Sequence, residues 1–99
     1  MEQIDAVHLQ QLLQADPGTV LIDVREEEEH EQFNIGGIHI PLGEIIQKAG
    51  QIPTNATVII YCKRGIRSAI AIQKLEAKFG YRNLVNLQGG LVEWRKLFL

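Results

Sequence analysis

The stretch Val58-Ile-Ile-Tyr-Cys-Lys-Arg-Gly-Ile-Arg-Ser-Ala-Ile-Ala71 changes character twice within a short span. With Thr57, its first four residues are β-branched or aromatic and apolar on both faces, the pattern of a central strand in a parallel sheet. From Ser68 to Phe79 the apolar residues Ile72, Leu75 and Phe79 recur on one helical face, and Gly80 follows as a C-terminal stop. The junction between strand and helix holds the one cysteine of the chain, Cys62, together with Gly65 and three of the ten cations, Lys63, Arg64 and Arg67.

The same alternation runs outward in both directions. Asp5 is placed to cap a helix over residues 6 to 15, with Leu9, Leu12 and Leu13 at helical spacing, and Asp16-Pro17-Gly18 is turn chemistry. Thr19-Val-Leu-Ile-Asp-Val24 reads as a buried strand, Glu26 to Gln32 as a short acidic helix, and Ile38-His-Ile40 as a short strand. Pro41 to Ala49 reads as a helix stopped by Gly50. Downstream, Leu84-Val-Asn-Leu87 gives another strand, and Leu91, Trp94 and Phe98 mark an amphipathic helix. Strands alternating with helices through short connections imply an α/β fold, a parallel sheet covered on both faces, with residues 1–99 as a single domain. Ligands of such sheets gather beyond the carboxyl ends of the strands, which is where Cys62 falls.

Composition narrows the function classes. An apolar fraction of 45% with 22% charged residues fits a globular domain, and a net charge of −2 supplies no basic face for nucleic acid or for an anionic membrane. Residues 1–8 lack a positive segment followed by an apolar one, and no run approaches the ~18 apolar residues of a membrane span, so the expected compartment is the cytoplasm. A lone cysteine forms no internal disulfide and no zinc cage, and it has no resolving partner within the chain. His8, His30 and His39 show neither metal-ligand nor triad spacing and read as surface or packing residues, so no metal and no cofactor is expected. Gly36-Gly37 and Gly89-Gly90 are too sparse for a nucleotide-phosphate fingerprint, and the run Glu26 to Glu29 reads as a solvated helix face.

Cys62 is therefore the candidate nucleophile. Loop amides turned inward form an anion-holding nest, and the N-terminus of the following helix, near Ser68, adds unpaired N–H groups and the positive end of a dipole. Lys63, Arg64 and Arg67 add full charges, and Gly65 lets the backbone turn where a side chain would clash. All of these favour thiolate over thiol, which would ionise the sulfur near neutral pH without a paired base. A buried inert thiol would need none of these surroundings, and three cations held together repel one another unless an anion visits.

Cys62-Lys-Arg-Gly-Ile-Arg67-Ser68, following Val58-Ile-Ile-Tyr61, resembles the active-site loop of the rhodanese family of sulfurtransferases. Leu21-Ile-Asp23-Val-Arg25-Glu26 is similar to that family's first strand motif, Ile38-His-Ile-Pro41-Leu42 to its second, and Gly89-Gly90 with Trp94 to the signature of its last helix. Four such matches in order cover nearly the whole chain. The resemblance implies a five-stranded, mainly parallel sheet with helices on both faces. It implies a double displacement in which Cys62 takes a sulfane sulfur from a small anionic donor such as thiosulfate, holds it as a persulfide, and passes it to a thiol, cyanide or a protein. Lys63, Arg64, Gly65, Ile66, Arg67 and Ser68 would then form the anion-binding loop, with Asp23 and Arg25 as structural support.

Related cell-cycle phosphatases and arsenate reductases carry one more residue in this loop than the six from Cys62 to Arg67. A smaller ring of amides suits a single sulfur better than a tetrahedral oxyanion. Phe33-Asn-Ile-Gly-Gly-Ile38 departs from the commoner Gly-His-Ile-Pro-Gly-Ala pattern and resembles rhodanese domains attached to enzymes that adenylate and sulfurate ubiquitin-like carriers. That variant brings in a sulfur-carrier protein as a partner, and with it the alternative of a relay or adaptor module.

Overall fold

Strands β1 (Glu2–Ile4), β2 (Val20–Asp23), β3 (Ile38–His39), β4 (Val58–Tyr61) and β5 (Leu84–Leu87) form one sheet in the computed structural model, which describes residues 1–99. Their order is β1-β5-β4-β2-β3 and every pair is parallel. β4 is central, paired on one side with β2 (Ile60 opposite Ile22) and on the other with β5 (Ile60 opposite Asn86), and all four of its residues are buried. This accounts for a strand that is apolar on both faces.

The two faces belong to two cores. Ile22, Val58, Ile60 and Leu84 pack beneath α3 (Ile66–Phe79), against Ala71, Ile72 and Leu75. Leu21, Ile59, Tyr61 and Leu87 pack against Ala6 and Leu9 of α1 (Ala6–Ala15) and Leu91 and Trp94 of α4 (Gly90–Phe98). The remaining helix, α2 (Glu27–Gln32), is a short acidic segment closed by a capping box between Glu26 and Glu29. Asp5 caps α1 as expected, its carboxylate accepting from the His8 amide at 2.9 Å. No helix is long and apolar enough to cross a membrane.

Three expectations change. Residues 41–49 are not one helix: short 3-10 turns at Leu42–Glu44 and Ala49–Gln51 flank irregular turns. Gly43 weakens helix propagation there, while burial of Ile45, Ala49 and Ile52 and a hydrogen bond from the Tyr81 hydroxyl to Ala49 O (2.8 Å) hold a tighter path. The helix after Cys62 begins at Ile66, two residues earlier than its apolar spacing indicates, which places Arg67 in its first turn. Phe79 and Phe98 lie largely outside the cores, at 49% and 37% exposure. β1, an edge strand, is an addition to the strands read from periodicity.

Candidate active site

Cys62 follows β4 directly, at the carboxyl edge of the sheet, and is only 1% exposed. Its Sγ accepts from the amides of Gly65 (3.1 Å) and Ser68 (3.4 Å) and lies 3.3 Å from Ser68 Oγ. Gly65 adopts φ of 91° as the residue that opens α3, a left-handed turn that aims the loop amides at the sulfur. The outward side of the loop is fixed by α4: the Leu91 amide donates to Cys62 O (2.9 Å) and the Val92 amide to Lys63 O (3.0 Å). These bonds satisfy orphan donors of the first turn of α4 and the loop carbonyls together. The approach is close enough that a Cβ on Gly90, at φ of 60°, would lie 2.6 Å from Arg64 N and closer still to the Lys63 carbonyl. Gly90 thus serves backbone packing against the cysteine loop.

Behind the sulfur runs a polar chain that sequence reading did not find. Ser68 Oγ donates to Asn86 Oδ1 at 2.5 Å, and Asn86 Nδ2 reaches Gly65 O (3.2 Å) and Gln3 Oε1 (3.3 Å), joining β5 and β1 to the loop. An asparagine in an otherwise apolar strand is the one signal that marked it, because a buried amide needs partners. The Ser68 hydroxyl has one proton and two claimants. While Cys62 is a thiol, the S–H can donate to Oγ and Oγ to Asn86; once the thiol ionises, the hydroxyl can turn its proton to sulfur. Burial pushes the Cys62 thiol up, but hydrogen bonds from the Ser68 side chain and from the Ser68, Arg64 and Gly65 amides outweigh it, leaving the thiol below its ordinary value. Hydrogen bonds therefore do more here than the cations singled out from the sequence. Ser68→Ala is expected to slow iodoacetamide alkylation of Cys62 at pH 7 by on the order of tenfold and to move the alkylation midpoint to higher pH, because a hydrogen bond to a charged acceptor is worth roughly 1.5–3 kcal/mol. An unchanged pH profile would show that the amides suffice.

The three cations are not equivalent. Arg67 is held in a two-point pair with Glu29 of α2, at 2.6 and 2.9 Å, which keeps the Glu29 carboxyl at about 2 and raises Arg67. From sequence spacing alone Glu29 is only one member of a solvated acidic run. Lys63 and Arg64 are exposed and form no ion pair. Together with Cys62, Ile66 and Arg67 they line an open depression of ≈ 320 Å³, and Ile66 stands at its rim, 66% exposed. Removing Arg67 leaves a lone carboxylate beside this depression. Arg67→Ala is expected to lower the iodoacetate-to-iodoacetamide alkylation ratio about fivefold, corresponding to ~1 kcal/mol of added repulsion toward an anionic reagent; an unaltered ratio would mean that Glu29 is already screened by solvent.

Asp23 and Arg25 lie beside the loop rather than in it. Asp23 accepts from the Arg25 amide and guanidinium and from His30 Nδ1 (2.8 Å), while Arg25 Nη2 also donates to Phe33 O. His30 stacks on His39 at 4.5 Å, and His39 Nε2 meets Arg25 O at 2.7 Å, so both histidines serve packing. No group of three or more His, Cys, Asp or Glu residues is arranged to hold a metal. A larger cavity of ≈ 540 Å³, lined by Ile46, Phe79, Tyr81 and Arg82 among others, lies by the amino ends of β4 and β5, away from the thiol.

The family model described as Rhodanese-like domain matches residues 5–97. The chain is 32% identical over 97 residues to a protein of Allochromatium vinosum named Sulfurtransferase, covering 97% of this chain and 90% of that one. It is 33% identical over 93 residues to YrkF of Bacillus subtilis, named for a sulfur carrier protein; the match takes in 93% of this chain but spans half the length of YrkF. Among solved structures, the rhodanese-like domain protein from Staphylococcus aureus superposes with a TM-score of 0.86 at 29% identity, covering 95% of this chain and 91% of that one.

Proposed function

The chain belongs to the rhodanese-like domain family, and from that premise we propose that it is a sulfurtransferase carrying sulfane sulfur on Cys62. The observation that carries the reading is the Cys62 sulfur itself, held by the Gly65 and Ser68 amides and Ser68 Oγ at the end of the central strand. A ring that stabilises a thiolate also stabilises the terminal anion of a persulfide.

In the first half-reaction the Cys62 thiolate attacks the outer sulfur of thiosulfate, the S–S bond breaks, and sulfite leaves with its electron pair; the total charge of −3 is conserved. In the second, a thiolate or cyanide attacks the sulfane sulfur and Cys62 departs as thiolate. No proton transfer is required, which accords with a site where no histidine contacts the sulfur. Lys63 and Arg64, free of protein carboxylates, draw the anionic donor in, while the Arg67–Glu29 pair braces the first turn of α3 against α2. The Cys62-to-Arg67 ring, closed by backbone groups around a single sulfur, supports sulfur rather than phosphate or arsenate as its occupant. The protein named Sulfurtransferase from A. vinosum agrees with this reading.

A second reading, a relay module that takes or gives sulfur chiefly through a protein partner such as a sulfur carrier, is favoured by the exposure of Ile66 at the rim and by the name of YrkF. Intact-protein mass spectrometry after brief exposure to thiosulfate tests the first. A gain of one sulfur atom, lost on adding cyanide and absent in Cys62→Ser, is expected. No gain, with Cys62 still open to alkylation, would sink thiosulfate as donor and favour the relay.

A further inference from the structure

The sulfur of Cys62 changes its hydrogen-bonding character during the transfer proposed above, and the hydroxyl beside it has one proton with which to follow. Ser68, Cys62 and Asn86 are 0%, 1% and 3% exposed, so the protein itself must satisfy their polar atoms. Asn86 stands opposite Ile60 of β4, and the other three residues of its strand are apolar. The orientation of its amide is fixed by its neighbours. Nδ2 meets Gly65 O at 3.2 Å, and a backbone carbonyl can only accept, so Oδ1 is the atom turned to Ser68 Oγ at 2.5 Å. Oδ1 can only accept as well. It therefore competes with the Cys62 sulfur, 3.3 Å from Oγ, for the same Ser68 proton.

We infer that Asn86 is a positioning residue for both half-reactions: its Oδ1 holds the Ser68 proton while Cys62 carries sulfur and yields it to Sγ once the sulfur has left. The inference rests on the sulfurtransferase reading above. As the thiolate attacks the outer sulfur of thiosulfate, a new S–S bond forms and the donor's S–S bond breaks with its electron pair on sulfite. The negative charge passes from Sγ to the terminal sulfur. Sγ is then an uncharged, two-bonded sulfur and a weak acceptor, so the Ser68 hydroxyl turns to Asn86. When an acceptor thiolate removes the terminal sulfur, the electron pair of that bond returns to Sγ and the hydroxyl turns back. Without Oδ1 the buried hydroxyl would have Sγ as its one acceptor, which would favour the bare thiolate over the persulfide. Asn86 thereby keeps the thiolate from becoming too stable to attack.

The test is a double-mutant cycle. Asn86→Leu, close in shape, removes the competing acceptor and is expected to lower the pH midpoint of Cys62 alkylation by iodoacetamide, with about 3- to 10-fold more thiolate below that midpoint. Made on Ser68→Ala, the same substitution should produce no lowering. The charged groups around the loop, Lys63, Arg64 and Arg67 with Glu29, Arg25 and Arg95 beyond them, are the same in every variant. At a pH where the thiol is fully ionised throughout, Asn86→Leu should load from thiosulfate about 2- to 3-fold more slowly and discharge to cyanide faster by a similar factor, because a less basic thiolate attacks less well and leaves better. A purely structural role would slow both steps. Should Asn86→Leu fail to fold, Asn86→Asp takes its place: a carboxylate claims the Ser68 proton more strongly, and it should raise the midpoint more with Ser68 present than on Ser68→Ala. An unchanged or raised midpoint in Asn86→Leu, equal shifts with and without Ser68, or a loss of both steps would overturn the inference. Failure of thiosulfate to leave sulfur on the parent Cys62 would instead reject the sulfurtransferase reading, without touching the alkylation cycle, which reads the Asn86–Ser68 coupling in sulfur-free protein.

Discussion

Replacing Asp23 with Ala is expected to lower the unfolding free energy by about 3–5 kcal/mol, the range for stripping one partner from a buried ion pair. Asp23 is 0% and Arg25 6% exposed. The carboxylate accepts from Arg25 N (3.0 Å), Nε (3.0 Å) and Nη2 (2.8 Å) and faces His30 Nδ1, so its loss leaves a guanidinium buried with one carbonyl, Phe33 O, as partner. Urea denaturation measures the change; a loss below ~1 kcal/mol would mean that water replaces the carboxylate. Alkylation of Cys62 in the folded variant should change far less, because Asp23 makes no hydrogen bond to the cysteine loop. The pH dependence follows from the same pair. Burial raises the Asp23 carboxyl, but hydrogen bonds from Arg25 and His30 outweigh it and leave it below the ordinary aspartate value. Glu29 moves the same way, from 4.5 to about 2, mainly through its hydrogen bonds with Arg67. A carboxyl lowered by folding stabilises the native state above its unfolded value, and that contribution disappears as pH falls through the folded one. Stability should therefore decline between about pH 4.5 and 2, and Asp23→Asn should flatten the decline.

Gly90→Ala should cost roughly 3–5 kcal/mol, combining left-handed strain with overpacking against backbone that cannot step aside. At φ of 60° the new methyl would meet Lys63 C at 2.5 Å and Arg64 N at 2.6 Å. Relief would require α4 to draw back from the loop, releasing Cys62 O and Lys63 O from the Leu91 and Val92 amides. The variant should thus also return the Cys62 alkylation midpoint toward that of an ordinary cysteine. Gly80→Ala is the control: φ is 70° there, but nothing lies within 4 Å of the added methyl, so only strain of about 1–2 kcal/mol is expected, with an unaltered thiol. Similar losses in the two variants would remove the special role of the contact between α4 and the loop.

What could be read from the sequence was what local chemistry writes. The strand-to-loop-to-helix stretch around Cys62 announced itself because β-branched residues, a glycine and a helical repeat follow one another without a gap. Edge strand β1 did not, since Glu2-Gln3-Ile4 is short, two-thirds polar, and becomes a strand only by pairing with β5. The 41–49 segment misled because Pro41 and Gly50 stand where a helix starts and stops, yet Ile45 and Ala49 are drawn inward along a turn path with Gly43 inside it. Within the site, Cys62 and its loop were legible; Glu29 and Asn86 were not. Glu29 meets Arg67 across 38 positions of sequence and Asn86 meets Ser68 across 18, distances over which no periodicity speaks. Of the three loop cations, Lys63 and Arg64 are therefore left without a carboxylate partner.

The bonds from Leu91 and Val92 to the loop also have a bearing on the order of folding. α4 follows every strand in sequence, and it reaches back to the loop through the Leu91 and Val92 amides. The sheet can assemble with Cys62 at its edge while the carbonyls of Cys62 and Lys63 still lack their donors, which arrive only when residues 90–98 dock. The cost of closing the chain between the loop and α4 must be overcome before those two bonds contribute. Any part of the Cys62 reactivity that depends on these two bonds would then appear during refolding only as α4 docks, and its onset would time that step.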